Sequence, residues 1–381
     1  MRLTEPASAS TPATASVLID ASALSSVAAT SGIGTYVRNL LAALAAAPDL
    51  KIATNALVEP GVPLPPGVGR RTIHRRIKRR PRAEVVEHAV RLPWDTRTKR
   101  SPGEVFHEPG FHAPWGVGRP RVQSLLDVIP LVLDEPDLAP LRQRWRRFGP
   151  RYRDADAVVA ISRHAADEGI RLLGLDQKRV FVAPLGVDPR YSPGDSTSPD
   201  ERPYLLVVGE YSRRKGFREA FAVVDELADA GYPHRLLVAG RFHDRGADEL
   251  LALRAAARHT ERIELLGHAP DLVSLYRGAA AVLMTSRYEG FGLPALEAMA
   301  CGAPVVAFAN SAVAEVVAGG GRLVTDGDVA DMVAAVRCLL DNPGAAAELG
   351  EQGLARAAEF TWARSAAIHA EVYRSVAGAL G

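Results

Sequence analysis

Two carboxylates eight positions apart, Glu289 and Glu297, frame the stretch Ser286-Arg287-Tyr288-Glu289-Gly290-Phe291-Gly292-Leu293-Pro294-Ala295-Leu296-Glu297. Pro294 suits the first turn of a helix, where its missing N–H leaves nothing unpaired. Phe291, Gly292 and Leu293 then present backbone N–H groups at the helix N-terminus, whose positive end favours anions. Gly290 and Gly292 let a ligand come close to the backbone. The two acids would oppose a phosphate, yet carboxylates are good bidentate acceptors for vicinal hydroxyls. A ligand carrying both phosphates and sugar hydroxyls fits the pattern. An ordinary strand–loop–helix with a capping Glu explains the glycines but not the pair of acids. The helix is expected to stop at Ala300-Cys301-Gly302, with Gly302 in the usual C-terminal position and Pro304 barring continuation.

A second constellation is Gly209-Glu210-Tyr211-Ser212-Arg213-Arg214-Lys215-Gly216, directly after an apolar run, Tyr204 to Val208. Three consecutive cations at a strand's carboxyl end, closed by a glycine, suit a diphosphate. A solvated surface charge run is the commoner meaning of such a stretch; its place after a strand favours the functional one. Other signals carry less. His107-Glu108-x3-His112 has the wrong spacing for a zinc helix, and Pro109-Gly110 breaks one. Asp154-Ala155-Asp156 and Asp326-Gly327-Asp328 match a short metal-binding pattern that recurs by chance, and the second reads as a cap for a helix starting near Val329. Gly32-x-Gly34 has Val37 where the dinucleotide fingerprint needs its third glycine, which argues against an NAD enzyme.

These residues must be held by a framework, and the pattern supplies one. Strand-like runs at 17–19, 105–106, 122–125, 157–161 and 180–182 alternate with helical patterns, among them Tyr36 to Ala47, ended by Pro48. After a Pro/Ser/Thr-rich stretch the alternation restarts at 204–208 and continues through 236–239, 263–266, 281–284 and 305–308. The fold class expected is α/β, two Rossmann-like domains with parallel sheets facing across a cleft. Ligands in such folds bind at the carboxyl ends of the strands. The boundaries read as a flexible tail over 1–16, a first domain over 17–190, a linker over 191–203 and a second domain over 204–360. Region 50–105 carries no legible motif.

Composition sets the outer limits. At 381 residues, 47% hydrophobic and 24% charged, the chain has room for two domains and is not disordered. Two cysteines, Cys301 and Cys338, exclude a disulfide scaffold and a four-cysteine zinc site. With no apolar leader and no long apolar span, a cytoplasmic location is expected. Residues 1–200 hold 28 Lys+Arg against 21 Asp+Glu, net +7, and residues 201–381 hold 18 against 23, net −5. The densest basic stretch, Arg70 to Arg82, and a second cluster from Arg142 to Arg153 suit an anionic acceptor, acidic lipid headgroups or plain solvation. Aromatic residues are nearly absent beside the first, so nucleic acid is not expected as a partner.

The stretch Tyr288-Glu289-Gly290-Phe291-Gly292-Leu293-Pro294-x-Leu296-Glu297-Ala298-Met299-Ala300-Cys301-Gly302-x-Pro304-Val305-Val306 resembles the signature of glycosyltransferase family 4. Ser31-Gly32-Ile33-Gly34-Thr35-Tyr36, Phe106-His107-Glu108-Pro109, Ala155-Asp156-Ala157-Val158-Val159, Pro184-Leu185-Gly186-Val187-Asp188, Arg214-Lys215-Gly216 and Phe360-Thr361-Trp362 resemble it too, so the likeness runs from Val17 onward. The resemblance implies the GT-B fold and a retaining transfer of a hexose-type sugar from a GDP- or UDP-sugar to an acceptor hydroxyl. It implies no resident cofactor, an acceptor domain over 17–190, a donor domain over 204–360, and a helix over 361–381 crossing back to the first domain. By the same resemblance Gly32 and Gly34 form the N-terminal glycine loop, Arg214 and Lys215 hold the donor diphosphate, and Glu297 takes the ribose. Glu289 takes the sugar hydroxyls, and a base contact falls near Gly267-His268-Ala269.

Two departures stand out. Relatives carry His-Asp where this chain has Leu126-Asp127, and leucine can neither donate to a hydroxyl nor move a proton. Asp127 is then expected to act with a nearby histidine, His107 or His112. His107 is the better placed, because its strand should neighbour 122–125 and project it into the cleft. Glu210 stands where many relatives have Arg, and its charge opposes a diphosphate unless it points away. The alternatives are a hydrolase or epimerase of the same fold, or a nucleotide-sugar-binding subunit without turnover. The identity of the acceptor and the oligomeric state are not legible.

Overall fold

The computed structural model describes residues 15–25, 29, 31–72, 104–110, 120–195, 202–241 and 244–378. Of the expectations above, residues 1–14 of the tail, positions 73–82 of the basic stretch, His112 and positions 196–201 of the linker lie outside the described residues.

Thirteen strands among the described residues form two parallel sheets. In chain order they are β1 (Ala15–Asp20), β2 (Ile52–Val58), β3 (Gly69–Thr72), β4 (Val105–Glu108), β5 (Arg121–Leu125), β6 (Ala157–Ala160) and β7 (Val180–Val182), then β8 (Tyr204–Val208), β9 (Arg235–Ala239), β10 (Ile263–Gly267), β11 (Ala281–Met284), β12 (Val305–Phe308) and β13 (Arg322–Val324). The first sheet runs β3-β2-β1-β4-β5-β6-β7 and the second β10-β9-β8-β11-β12-β13. Between strands lie α1 (Gly32–Ala46), then α2 (Ile129–Val132), α3 (Ala139–Phe148), α4 (Pro150–Arg153) and α5 (Arg163–Leu173). The later helices are α6 (Phe217–Asp229), α7 (Asp244–Ala255), α8 (Leu272–Arg277), α9 (Leu293–Ala300), α10 (Ser311–Val317), α11 (Val329–Asp341), α12 (Pro343–Ala357) and α13 (Trp362–Gly378). Parallel pairing requires such crossovers, and the α/β class expected from the strand–helix alternation is the one observed.

The described chain falls into two compact units, one from residues 1–123, 155–157 and 366–381, the other from 124–154 and 158–365. In the first, β1 pairs with β2 and β4, Ile19 lying opposite Ala56 and His107. Val17, Leu18 and Ile19 have no exposed surface, as a central parallel strand demands. Helix α1 buries Tyr36, Val37, Leu40, Leu41 and Leu44, a stripe of helical period. It begins at Gly32, four residues earlier than expected, so Gly32 and Gly34 lie in its first turn and not in a separate glycine loop.

Strands β2 and β3 fill the region without a motif. Strand β3, Gly-Arg-Arg-Thr, contains no apolar residue and closes the sheet's edge, where charged side chains discourage further pairing. The first two cations of the basic stretch are therefore sheet residues, Arg71 lying 3.5 Å from the buried Glu104.

In the second unit Phe217 and Phe221 of α6, Leu236 and Val238 of β9, Leu283 of β11 and Met332 of α11 share one apolar core. Each such side chain contributes about 1.5–3 kcal/mol by burial. Strand order reverses between β8 and β11, whose following loops carry the two constellations singled out above. That reversal is where open α/β sheets leave a crevice for ligands. Among the described residues no helix is long and apolar enough to cross a membrane.

Candidate active site

The loops after β8 and β11 are stitched together through their backbones. Arg213–Lys215 forms a single 3-10 turn that closes on Gly216 at φ +67°. A Cβ there would strike the Thr285 carbonyl oxygen, so glycine is required twice over, by conformation and by space. Thr285 Oγ1 donates to the Lys215 carbonyl at 3.1 Å, and Arg287 N to the Arg214 carbonyl at 2.7 Å. Gly209 lies under the Lys215 side chain, its Cβ position 3.3 Å from Cε.

This stitching sets Glu289 between the cations. Lys215 Nζ donates to Glu289 Oε1 at 2.5 Å, Arg214 Nη1 lies 3.2 Å from Oε2, and Ser286 Oγ donates to Oε1 at 2.7 Å. Arg214 also donates to the Tyr288 carbonyl at 3.1 Å. Burial pushes the Glu289 carboxyl up, but Lys215, Arg214 and Ser286 together outweigh it and hold it at about 2. Burial lowers the Lys215 ammonium from its ordinary value, with Glu289 pulling the other way. The cluster is thus an ionised carboxylate holding two cations, net +1, at the carboxyl ends of β8 and β11. Glu210 is exposed, and its charge reaches Lys215.

Glu297 belongs to a different network. It lies in α9, where Tyr276 donates to Oε2 at 3.0 Å. Burial raises its carboxyl to about 7, against the lowering effect of hydrogen bonds from Tyr276 and Tyr191 and of the charge on Arg190. The two acids of one signature are pushed to opposite sides of the ordinary carboxylate range. Helix α9 starts at Leu293 with Pro294 second, as expected, and ends before Gly302 at φ +78°. Gly292 caps it at φ +103°, and Phe291 is buried edge-on to Phe360.

Asp127 comes to the same place. A Cβ on Gly290 would fall on the Leu126 carbonyl oxygen and 2.9 Å from Asp127 Cβ, so the 126–127 turn packs directly on the Glu289 loop. Ser162 Oγ, the N-cap of α5, donates to the Gly290 carbonyl at 2.9 Å. The Ile129 N–H donates to Asp127 Oδ1 at 3.0 Å. Burial raises the Asp127 carboxyl, which also senses Arg214 and Glu289.

His107 does not follow its expectation. It lies within β4, paired opposite Val122 as foreseen, but its side chain has no exposed surface. Its Nδ1 shares a hydrogen bond of 2.7 Å with the Tyr373 hydroxyl, and its ring lies 5.7 Å from that of His369. Tyr36 bonds His369 Nε2 at 2.9 Å. Burial, then His369, keeps the His107 imidazole well below its usual pKa. Enclosed by the C-terminal helix, it is a core histidine. His268 stands exposed just past β10, two strands from β8, and a Cβ at Gly32 would meet nothing within 4 Å. In the two short acidic patterns, Asp156 accepts from Arg121 N, and Asp328 caps α11.

The sequence did not single out Ser286, Tyr276, Tyr191, Ser162 or the Asn310-Ser311 pair. Ser162 and the last pair left a signal, since Ser or Asn ahead of a helical pattern marks a helix start.

Comparison with known proteins gives the family and the fold. Residues 30–191 match the family described as Glycosyltransferase Family 4, and residues 192–356 match Glycosyl transferases group 1. The chain is 34% identical over 239 residues to D-inositol 3-phosphate glycosyltransferase 2 of Catenulispora acidiphila, covering 58% of this chain and 56% of that protein. The match thus spans little more than half the length of that relative. Sucrose-phosphate synthase from Thermosynechococcus elongatus shares the fold at a TM-score of 0.75, over 96% of this chain and 99% of that one, with 20% identity. HepE from Anabaena, solved with UDP and glucose, shares it at 0.65 over 96% and 98%, with 15% identity. The fold is GT-B.

Proposed function

The chain belongs to the glycosyltransferases built from these two family domains, and we propose that it moves a hexose-type sugar from a GDP- or UDP-sugar to an acceptor hydroxyl. Retention at the anomeric carbon and independence from metal are part of the reading. The observation that carries it is the Lys215–Glu289–Arg214 cluster at the strand-order reversal of the second sheet. Two cations held by one buried carboxylate keep a net positive charge beside the start of α9, where charge would develop on a leaving diphosphate. Glu289, ionised at any physiological pH, would accept from sugar hydroxyls as well as fix the cations. Glu297 would take the ribose, with the base near His268 and the α9 N-terminus (Phe291, Gly292, Leu293) beside the phosphates. Residues 204–360 would then serve the donor and 17–190 the acceptor, Gly32 and Gly34 lying at the start of α1. Asp127, packed on the Glu289 loop, follows Leu126 directly and would supply the polar contact there. The complex of HepE with UDP and glucose supports a nucleotide sugar as the donor class.

A panel of UDP- and GDP-sugars read by thermal shift tests the reading. A donor at 100 times its dissociation constant should stabilise by about 2.7 kcal/mol. Nucleotide release with an acceptor should survive exhaustive chelation. Loss on chelation, with recovery in manganese or magnesium, would overturn the metal-independent scheme. Leu126 favours a second reading, donor binding without turnover, and binding with no release against any acceptor would select it. Release of nucleotide with no acceptor present would select a hydrolase or epimerase.

A further inference from the structure

Past the end of β12 the chain enters α10 through Ala309, Asn310 and Ser311. Ser311 has φ +44°; among the described residues the other non-glycine in this left-handed region is Lys51. Glycine adopts such a φ freely and other residues adopt it at a cost. The serine side chain accounts for the exception. Glu289 N donates to Ser311 Oγ at 3.0 Å, and Ser311 Oγ donates to Asn310 Oδ1 at 2.9 Å. Asn310 Nδ2 donates to the Ser286 carbonyl at 3.0 Å and to Asp326 Oδ1 at 2.5 Å. Both ends of the Ser286–Glu289 turn are therefore tied to one pair of residues. That turn carries the carboxylate that receives Lys215 and Arg214.

We propose that Asn310 and Ser311 form a clamp that fixes the Glu289 backbone, with Ser311 a positioning residue of the donor site. Glycine, which suits the backbone better, has no hydroxyl to accept from Glu289 N–H. The part of the inference that concerns turnover rests on the donor-site reading of Glu289; the clamp itself does not.

Two variants separate the backbone from the hydroxyl. Ser311→Gly relieves the left-handed φ and Ser311→Ala does not, so the glycine variant melts above the alanine variant. Both lose the hydroxyl. In both, the Glu289 amide should exchange with deuterium about tenfold faster, the scale of one lost net hydrogen bond. With UDP-glucose or GDP-mannose as donor, kcat for nucleotide release should fall about tenfold in both, while binding of UDP or GDP alone stays within about twofold, since Lys215 and Arg214 are untouched. A purely structural role predicts a different pattern: activity would follow melting temperature, and Ser311→Gly would be fully active. Wild-type exchange at Glu289 in Ser311→Gly overturns the clamp. Wild-type turnover there, with exchange accelerated, overturns the positioning role. If the wild-type protein neither binds nor turns over any nucleotide sugar, the donor reading fails, and the exchange experiment still decides the clamp.

Discussion

Replacing Glu289 by Gln removes one negative charge and keeps the side chain's shape. The structure gives its effect on three quantities, with different signs. Stability falls. A carboxyl displaced from 4.5 to about 2 on folding carries roughly 3 kcal/mol of stability at neutral pH, at 1.36 kcal/mol per unit. Removing one partner of a buried ion pair costs about 3–5 kcal/mol by a separate route, because Lys215 is left with an uncompensated charge. The two agree on roughly 3 kcal/mol. The sign with pH also follows: the folded pKa is depressed, so this stability is present above about pH 4.5 and disappears as pH falls toward 2. Nucleotide affinity should rise. Lys215 and Arg214, which now share Glu289 at 2.5 and 3.2 Å, are released for the diphosphate, and the cluster goes from net +1 to +2. A gain of about tenfold corresponds to one charge-assisted bond no longer in competition. Turnover should fall by at least ~100-fold, the scale of one lost transition-state contact. Calorimetric titration of UDP and GDP, melting curves between pH 3 and 8, and nucleotide release measured on one preparation make the test. Unchanged stability would refute the buried ion pair as a structural element. Weaker nucleotide binding would refute the idea that Glu289 holds cations meant for phosphate.

The raised carboxyl of Glu297 predicts that nucleotide binding releases protons near neutrality. Its folded pKa of about 7 lies above the ordinary 4.5, so its share of folding stability is full below about 4.5 and lost as pH rises through 7, whereas on the ribose role proposed for it nucleotide binding should strengthen over the same rise. Titration calorimetry in buffers of different ionisation enthalpy checks this, and Glu297→Gln should abolish the dependence while weakening binding by about 1–3 kcal/mol. His107→Ala should destabilise the fold by about 1–3 kcal/mol for the stranded Tyr373 hydroxyl, read as a lower melting temperature, and leave nucleotide affinity and turnover per folded molecule unchanged. A 100-fold loss of turnover at wild-type stability would restore a catalytic histidine. Gly290→Ala should separate the 126–127 turn from the Glu289 loop, since its Cβ would meet the Leu126 carbonyl; turnover should fall with UDP binding retained, and full activity would show that the contact is dispensable.

The sequence was most legible where one physical signal dominated. Strands β8, β11 and β12 were read to the residue because uninterrupted apolar runs between glycine or proline breaks have few other meanings in a doubly covered sheet. Strand β2 was missed because Thr54 and Asn55 interrupt its apolar period, and β3 because an edge strand of Gly-Arg-Arg-Thr has no period at all. Helix α1 was entered late because glycine is a poor helix former, a penalty that matters little in a first turn. The surroundings of His107 are hidden from the sequence for a different reason. Its strand neighbour is legible, but what lies over that strand end is α13, some 260 residues away in sequence, and no local pattern announces a helix that supplies Tyr373 and His369 as a lid.

The same distinction applies to the two carboxylates. Their spacing marks a loop and a helix that begin one crevice, and types of residue with that spacing suffice to name a class of ligand. What each acid does is decided by partners the spacing does not contain. Glu289 meets Lys215 and Arg214, 74 and 75 positions earlier, because strand order reverses between β8 and β11 and brings their following loops together. Glu297, eight positions on, meets tyrosines and remains poised near neutrality. One signature thus yields a carboxyl held low by two cations and a second raised by burial to about 7. Environments that push two acids apart are how a single site assigns them different tasks. Here the division arises from topology, since α9 carries Glu297 away from the cations within two helical turns of the loop that binds Glu289 to them.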